Sequence, residues 1–265
     1  MEIETEKYEF LDKLIEFAQS EGLMLYKSIR RSRLILYTYN YNFIGLKEKH
    51  RYFNLHVNSG KFWDNQAPHL RWNMQKGLST RLFNYLNSIS AVVDLSRINS
   101  NKYLSSTQND KYKEHIKLNY EDVPKFKFIR ELRNYIAHYS LLDIGVELSM
   151  NYQAGNEGNI YLSKSKLLEW DGWKKQAFLY LTEQNEKIYI IPYLLEYHKQ
   201  FVTTQDILYC SMISRNELAL IELVDQMEEF YGKASKFRLL NSLPYRKTTI
   251  RYIQYLLRTC HKLSI

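Results

Sequence analysis

The run Phe128-Ile129-Arg130-Glu131-Leu132-Arg133-Asn134-Tyr135-Ile136-Ala137-His138-Tyr139 sets a cluster of polar chemistry inside an apolar helical pattern. Phe128, Leu132, Tyr135 and Leu142, with Ile129, Ile136 and Tyr139, form two adjacent apolar rows at helical spacing. Pro124 precedes them, and a helix is predicted over about 125–142. Within it Arg133 is always cationic, Asn134 both donates and accepts hydrogen bonds, and His138 can exchange a proton near neutral pH. A core helix has no packing use for all three. Phosphodiester cleavage has one.

Arg133-Asn134-x-x-x-His138 resembles the R-x4-6-H signature of the HEPN superfamily, in which Asn often follows the Arg. The resemblance implies a small helical bundle, and in many members a metal-independent endoribonuclease of toxin–antitoxin, abortive-infection or other phage-defence systems. It also implies a homodimer in which two copies of the motif face each other across one cleft, with an antitoxin protein as a possible further partner. Non-catalytic members exist as well. The chain is therefore expected to be mostly α, a HEPN-like helical bundle with a small β-hairpin insertion.

Metal-free RNA cleavage needs a base for the 2′-hydroxyl proton, cationic donors for the phosphorane oxygens and an acid for the leaving 5′-oxygen. His138 is assigned as general base or acid, and Arg133 as phosphate and transition-state stabiliser. Asn134 orients His138 or the substrate. Arg130 and Tyr139 are weaker candidates for phosphate contact or base stacking. The product would be a 2′,3′-cyclic phosphate. Asn134 and His138 are four residues apart and share a helix face. Arg133 and His138 are five apart, about 140° around the axis, so two antiparallel copies would bring His from one chain beside Arg from the other. The structural alternatives are a satisfied core or interface histidine, an asparagine bridging groups inside the bundle, and an arginine paired with Glu131 or Asp94.

Upstream, the strongest helical pattern runs from about Pro68 to Ile98, with Leu70, Met74, Leu78, Leu82, Tyr85, Ile89 and Val93 on one face. A second, polar stripe ends at Asp94 and Arg97, read either as solvated surface or as support for the cleft. Residues 4–20 read as a first helix that Gly22 can end. The stretch from Arg33 to Val57 is ambiguous: its β-branched and aromatic run favours strand, the family likeness favours helix. Residues 99–119 read as a polar connection, either a mobile loop or an irregular insertion.

Downstream, residues 145–153 and 159–163 alternate around the turn Ala154-Gly-Asn-Glu-Gly158, a β-hairpin signal. Helix follows at about 165–183, then a strand-like 187–191. Further helices are predicted from Pro192 to about Lys199 and from Thr204 to Tyr231, with a final amphipathic helix in a tail that includes Pro244. One domain over 1–265 is the economical reading: an N-terminal segment 1–66, a bundle core 67–142, a β insertion at about 144–164 and C-terminal helices 165–265.

Lys and Arg number 37 against 29 Asp and Glu, and the net charge of +8 favours encounter with polyanions such as RNA. The 23 tyrosines, with abundant Asn, Lys and Ile, also fit an AT-rich coding sequence. Basic clusters at Arg30-Arg31-Ser32-Arg33, around Lys47, Lys49 and Arg51, and at Arg246, Lys247, Arg251 and Arg258 are solvated faces by default. Cys210 and Cys260 lie far apart in sequence, so neither a disulfide scaffold nor a zinc site is indicated. No phosphate-binding loop, metalloprotease, deaminase or serine-hydrolase motif occurs. No metal or cofactor is expected. The acidic start and the lack of a long apolar run point to a soluble, cytoplasmic protein without membrane contact. A non-catalytic module binding a protein, nucleotide or RNA is the second reading, and a DNA-binding or structural accessory protein the third.

Overall fold

The computed structural model describes residues 2–61, 68–151, 155–236, 243 and 245–260. Among them the chain is mostly helical: α1 (Glu2–Ala18), α2 (Glu21–Asn58), α3 (Pro68–Tyr103), α4 (Ser106–Ile116), α5 (Pro124–His138), α6 (Lys164–Leu168), α7 (Lys175–Glu183), α8 (Ile190–Arg215), α9 (Glu217–Lys236) and α10 (Lys247–Cys260). A π-helical turn, Lys117–Glu121, precedes α5. The strands β1 (Ile144–Asn151), β2 (Gly155–Ser163) and β3 (Lys187–Ile188) form one antiparallel sheet in that order. No helix of the described residues is long and apolar enough to cross a membrane.

Two compact units account for the chain. One comprises Met1–Leu34, Leu95–Lys113 and Thr204–Ile265; the other comprises Ile35–Asp94 and Glu114–Thr203.

In the first unit an aromatic cluster of Phe10, Phe17, Phe230 and Tyr245 packs edge-on or tilted, with centroids 5.0–5.8 Å apart. Gly22 does not end α1. It sits in the first turn of α2, where a Cβ would collide with the Ala219 carbonyl of α9. Residues 99–103 and 106–113 are helical rather than loop, and polar side chains at the end of α3 are internally paired. Asn99 accepts from Ser28 at 2.7 Å and donates to Ser32 at 2.6 Å, and Ser96 donates to Gln205 at 2.6 Å. Asn216 breaks the long C-terminal helix into α8 and α9. Its amide donates to the carbonyls of Tyr103 and Met212. Pro244 lies outside the described residues.

The second unit is built on aromatic rings. The ambiguous part of α2 resolves as helix because Leu36, Tyr39, Phe43, Leu46, Phe53 and Val57 are buried, while Tyr37 and Tyr41 are exposed. Tyr39 and Tyr85 stack and share a 2.9 Å hydrogen bond between hydroxyls. His198 stacks on Phe43 with centroids 3.6 Å apart and on Tyr39 at 4.9 Å. Burial, helped by the Lys47 ammonium, pushes its imidazole down to about 4. The unfolded chain takes up this proton near pH 6.5 and the folded chain only near 4, so the term removes stability as pH falls through that interval. The expected result is a lower urea midpoint at pH 5 than at pH 7, with a smaller drop in His198→Gln. An equal drop in the variant would contradict it.

The β-hairpin is present, with Ile144 opposite Leu162 and Val146 opposite Ile160. The residues 155–158 expected in the turn belong instead to β2, and 152–154 lie outside the described residues. The helix anticipated at 165–183 is interrupted after Leu168, where the Trp173 indole donates to the Leu167 carbonyl at 2.8 Å. Strand β3 is only two residues long, since Ile190 already starts α8 and Pro192 is tolerated in a first helical turn. Helix α8 then continues without the break anticipated near 200–203.

Candidate active site

Helix α5 begins with Pro124 in its first turn, after the extended Val123, and buries Phe126, Phe128, Ile129, Glu131, Leu132 and Tyr135. It stops at His138 rather than near 142. Tyr139 leaves helical geometry (φ −126°, ψ −71°), and Leu142 is buried in a non-helical run leading to β1. Ser79 and Gln75 of α3 donate to the carbonyls of Leu142 and Ile144, both at 3.2 Å. Those bonds fix the segment that leaves the motif.

A cleft of about 240 Å³ opens between α3 and α5. Helix α3 supplies Leu86, Ile89, Ser90, Val93 and Asp94, α5 supplies Arg130, Glu131, Arg133 and Asn134, and Lys174 stands at the start of α7. Four of the sequence-derived candidates, Asp94, Arg130, Arg133 and Asn134, are thus brought together. Arg97 is exposed and belongs to the other unit. His138 is exposed at the last residue of α5 and does not line the cleft. Tyr139 lines a different cleft, of about 320 Å³, with Tyr135, Asp143, Lys166 and Glu169 among its neighbours. There burial, with the nearby Tyr139, Glu169 and Asp143, raises the Tyr135 phenol above its usual range.

The floor of the first cleft is a polar chain. Arg133 Nη1 donates to Asn134 Oδ1 at 3.1 Å, and Asn134 Nδ2 donates to Glu131 Oε2 at 2.9 Å. Lys174 Nζ meets Glu131 Oε1 at 2.8 Å. The Asn134 amide therefore turns its oxygen to a cation and its nitrogen to an anion. Its described bonds go to Arg133 and Glu131 rather than to His138. Glu131, only 7% exposed, is the hub. A carboxylate that far from water needs both partners, because an unpaired buried charge is costly. Arg133 Nε is buried without a hydrogen-bond partner, so the guanidinium is held in place with donor capacity left unmet.

A neighbouring cleft of about 410 Å³ shares Arg130, Glu131 and Lys174 with the first and adds Lys127 and Lys175. Together the two form a trough whose cations are Arg133, Arg130, Lys174, Lys175 and Lys127, opposed by Glu131, Asp94 and Glu121. Comparison with protein-family models, curated proteins and solved structures yields no match. Among the described residues no group of three or more His, Cys, Asp or Glu side chains is placed to hold a metal ion.

Sequence reasoning treated Glu131 only as an alternative partner for Arg133 and missed Lys174, Lys175 and Lys127. The lysines at the start of α7 carry no periodic signal tying them to α5. What brings them there is aromatic packing: Trp173 stacks on Phe128 at 5.7 Å and on Tyr135 at 5.8 Å. Its neighbour Lys174 then falls beside Glu131.

Proposed function

We propose that this chain is a metal-independent endoribonuclease of the HEPN type, acting in bacterial defence or growth arrest through a homodimeric cleft. One observation carries the reading. A single helix presents an exposed imidazole, His138, and an anchored guanidinium, Arg133, with donors to spare, and basic side chains border the cleft that Arg133 lines. Five residues of α-helix advance about 7.5 Å, and the imidazole does not line the cleft that holds the guanidinium. A second copy, related by a two-fold axis, would supply the missing partner. In that arrangement His138 moves the protons of the 2′-hydroxyl and the 5′-oxygen. Arg133 neutralises charge building on the phosphorane oxygens with its planar fork of donors. Arg130 and Lys174 hold the flanking phosphates, and Asn134 with Glu131 keeps Arg133 aimed. The basic trough supplies the sequence-independent part of RNA affinity.

A purified sample incubated with total RNA in excess EDTA is expected to cleave as fast as without it, leaving 2′,3′-cyclic phosphate ends. Cleavage that requires added Mg²⁺, or that leaves other ends, contradicts this chemistry.

The second reading is a non-catalytic module that binds a protein partner, a nucleotide or RNA. What favours it is that Asn134 and Glu131 already satisfy part of the polar demand at the site. Tight RNA binding by wild-type protein without cleavage would select it.

A further inference from the structure

Cys210 lies in α8 and Cys260 closes α10, 50 residues later, within the same unit. Their sequence separation argued against a pairing, yet the fold brings the two Sγ atoms to 2.7 Å. Both are free thiols, 5% and 7% exposed. At this spacing the Cys210 thiol donates to the Cys260 sulfur, and the distance exceeds the roughly 2.05 Å of a covalent S–S bond. Two thiolates bound across one zinc ion, each at about 2.3 Å, would stand well beyond bonding distance of each other. The apolar residues of α10, Ile250, Ile253 and Leu256, are buried along the same helix that carries Cys260.

We infer that Cys210 and Cys260 form an oxidation site that hydrogen peroxide converts into an intramolecular disulfide, stapling α10 to α8. Burial, with the adjoining Cys260 sulfur, pushes the Cys210 thiol up to about 12, and the first step is assigned to Cys260, at the last residue of α10. The Cys260 sulfur attacks one peroxide oxygen, the O–O bond breaks and water leaves, giving a sulfenic acid. Cys210 sulfur then displaces that hydroxyl, which departs with the Cys210 proton as a second water. Two thiols lose two electrons in all, and the peroxide is reduced to two waters. The bond is independent of the ribonuclease reading. By loop closure over 50 residues, it should shift the unfolding equilibrium about a thousandfold toward the folded state.

The full-length wild-type chain is treated with hydrogen peroxide, then denatured and alkylated with iodoacetamide. The expected product has lost two hydrogens, takes no alkyl group and yields one peptide pair linking Cys210 to Cys260. Its unfolding equilibrium is about a thousandfold more favourable to the fold than after reduction. Cys210→Ser should instead stop at a Cys260 sulfenic acid that dimedone traps. Two alkylated cysteines after peroxide, two sulfinic acids, or a bond between chains would overturn the inference. The wild-type mass result decides even where the serine variant fails to fold.

Discussion

Replacing His138 with alanine is expected to slow RNA cleavage by a hundred- to ten-thousandfold, the range supplied by a positioned general acid–base. The fold should not change. His138 is exposed at the end of α5 and its side chain makes no hydrogen bond among the described residues, so its loss removes little packing and orphans no polar group. Circular dichroism and gel filtration should match wild type, while a gel assay on total RNA shows the loss. Unaltered cleavage would remove His138 from the chemistry and leave the motif as structure.

Arg133 carries the second large effect. Removing one donor to a developing oxyanion costs about a hundred- to a thousandfold in rate, and Arg133→Ala should lose at least that much. Alanine would also strand the Asn134 carbonyl, which accepts from Arg133, so a loss there could reflect a disturbed floor rather than missing chemistry. Arg133→Lys separates the two. It keeps a cation beside Asn134 and should fold as wild type, but an ammonium lacks the planar fork that fits two phosphate oxygens. Its cleavage should fall roughly tenfold or more, with the loss in kcat rather than KM. Full rescue by lysine would mean that Arg133 serves only as a local counter-charge.

The reach of sequence reasoning differs from element to element for physical reasons. Helix α5 was legible because its apolar rows and Pro124 agree, and its early end was not, because Leu142 keeps helical spacing although the chain has already left the helix. The segment holding α4 was read as a mobile loop or an irregular insertion, although it carried a readable helix signal. Ser105 and Gln108 make a reciprocal capping box: the Gln108 side chain accepts from Ser105 N–H, and the Ser105 hydroxyl accepts from Gln108 N–H. Polar residues such as Asn99 and Ser100 suggested solvent but are buried and hydrogen-bonded, which composition cannot reveal. In α2, aromatic alternation imitated a strand, and only the inward spacing of Tyr39 and Phe43 against the outward Tyr37 and Tyr41 distinguishes the two.

At the site, the sequence offered Arg133, Asn134 and His138 as one cluster. The fold gathers the first two with Asp94 and Arg130 but leaves His138 outside that cleft. Lys174 enters from a distant segment through the stacking of Trp173, a contact without any local signature. Nor could the spacing of Cys210 and Cys260 announce that α8 and α10 bring their sulfurs together.

The most direct measurement mixes two inactive proteins. His138→Ala retains the guanidinium and Arg133→Ala retains the imidazole, so a mixed dimer contains one intact His–Arg pair only when the two groups come from different chains. Co-refolding equal amounts, with mixed dimers verified by native mass spectrometry, should restore a substantial fraction of wild-type cleavage. Mixed dimers as inactive as either parent, or a chain that never pairs with itself while still cutting RNA, would contradict a cleft shared by two copies of α5.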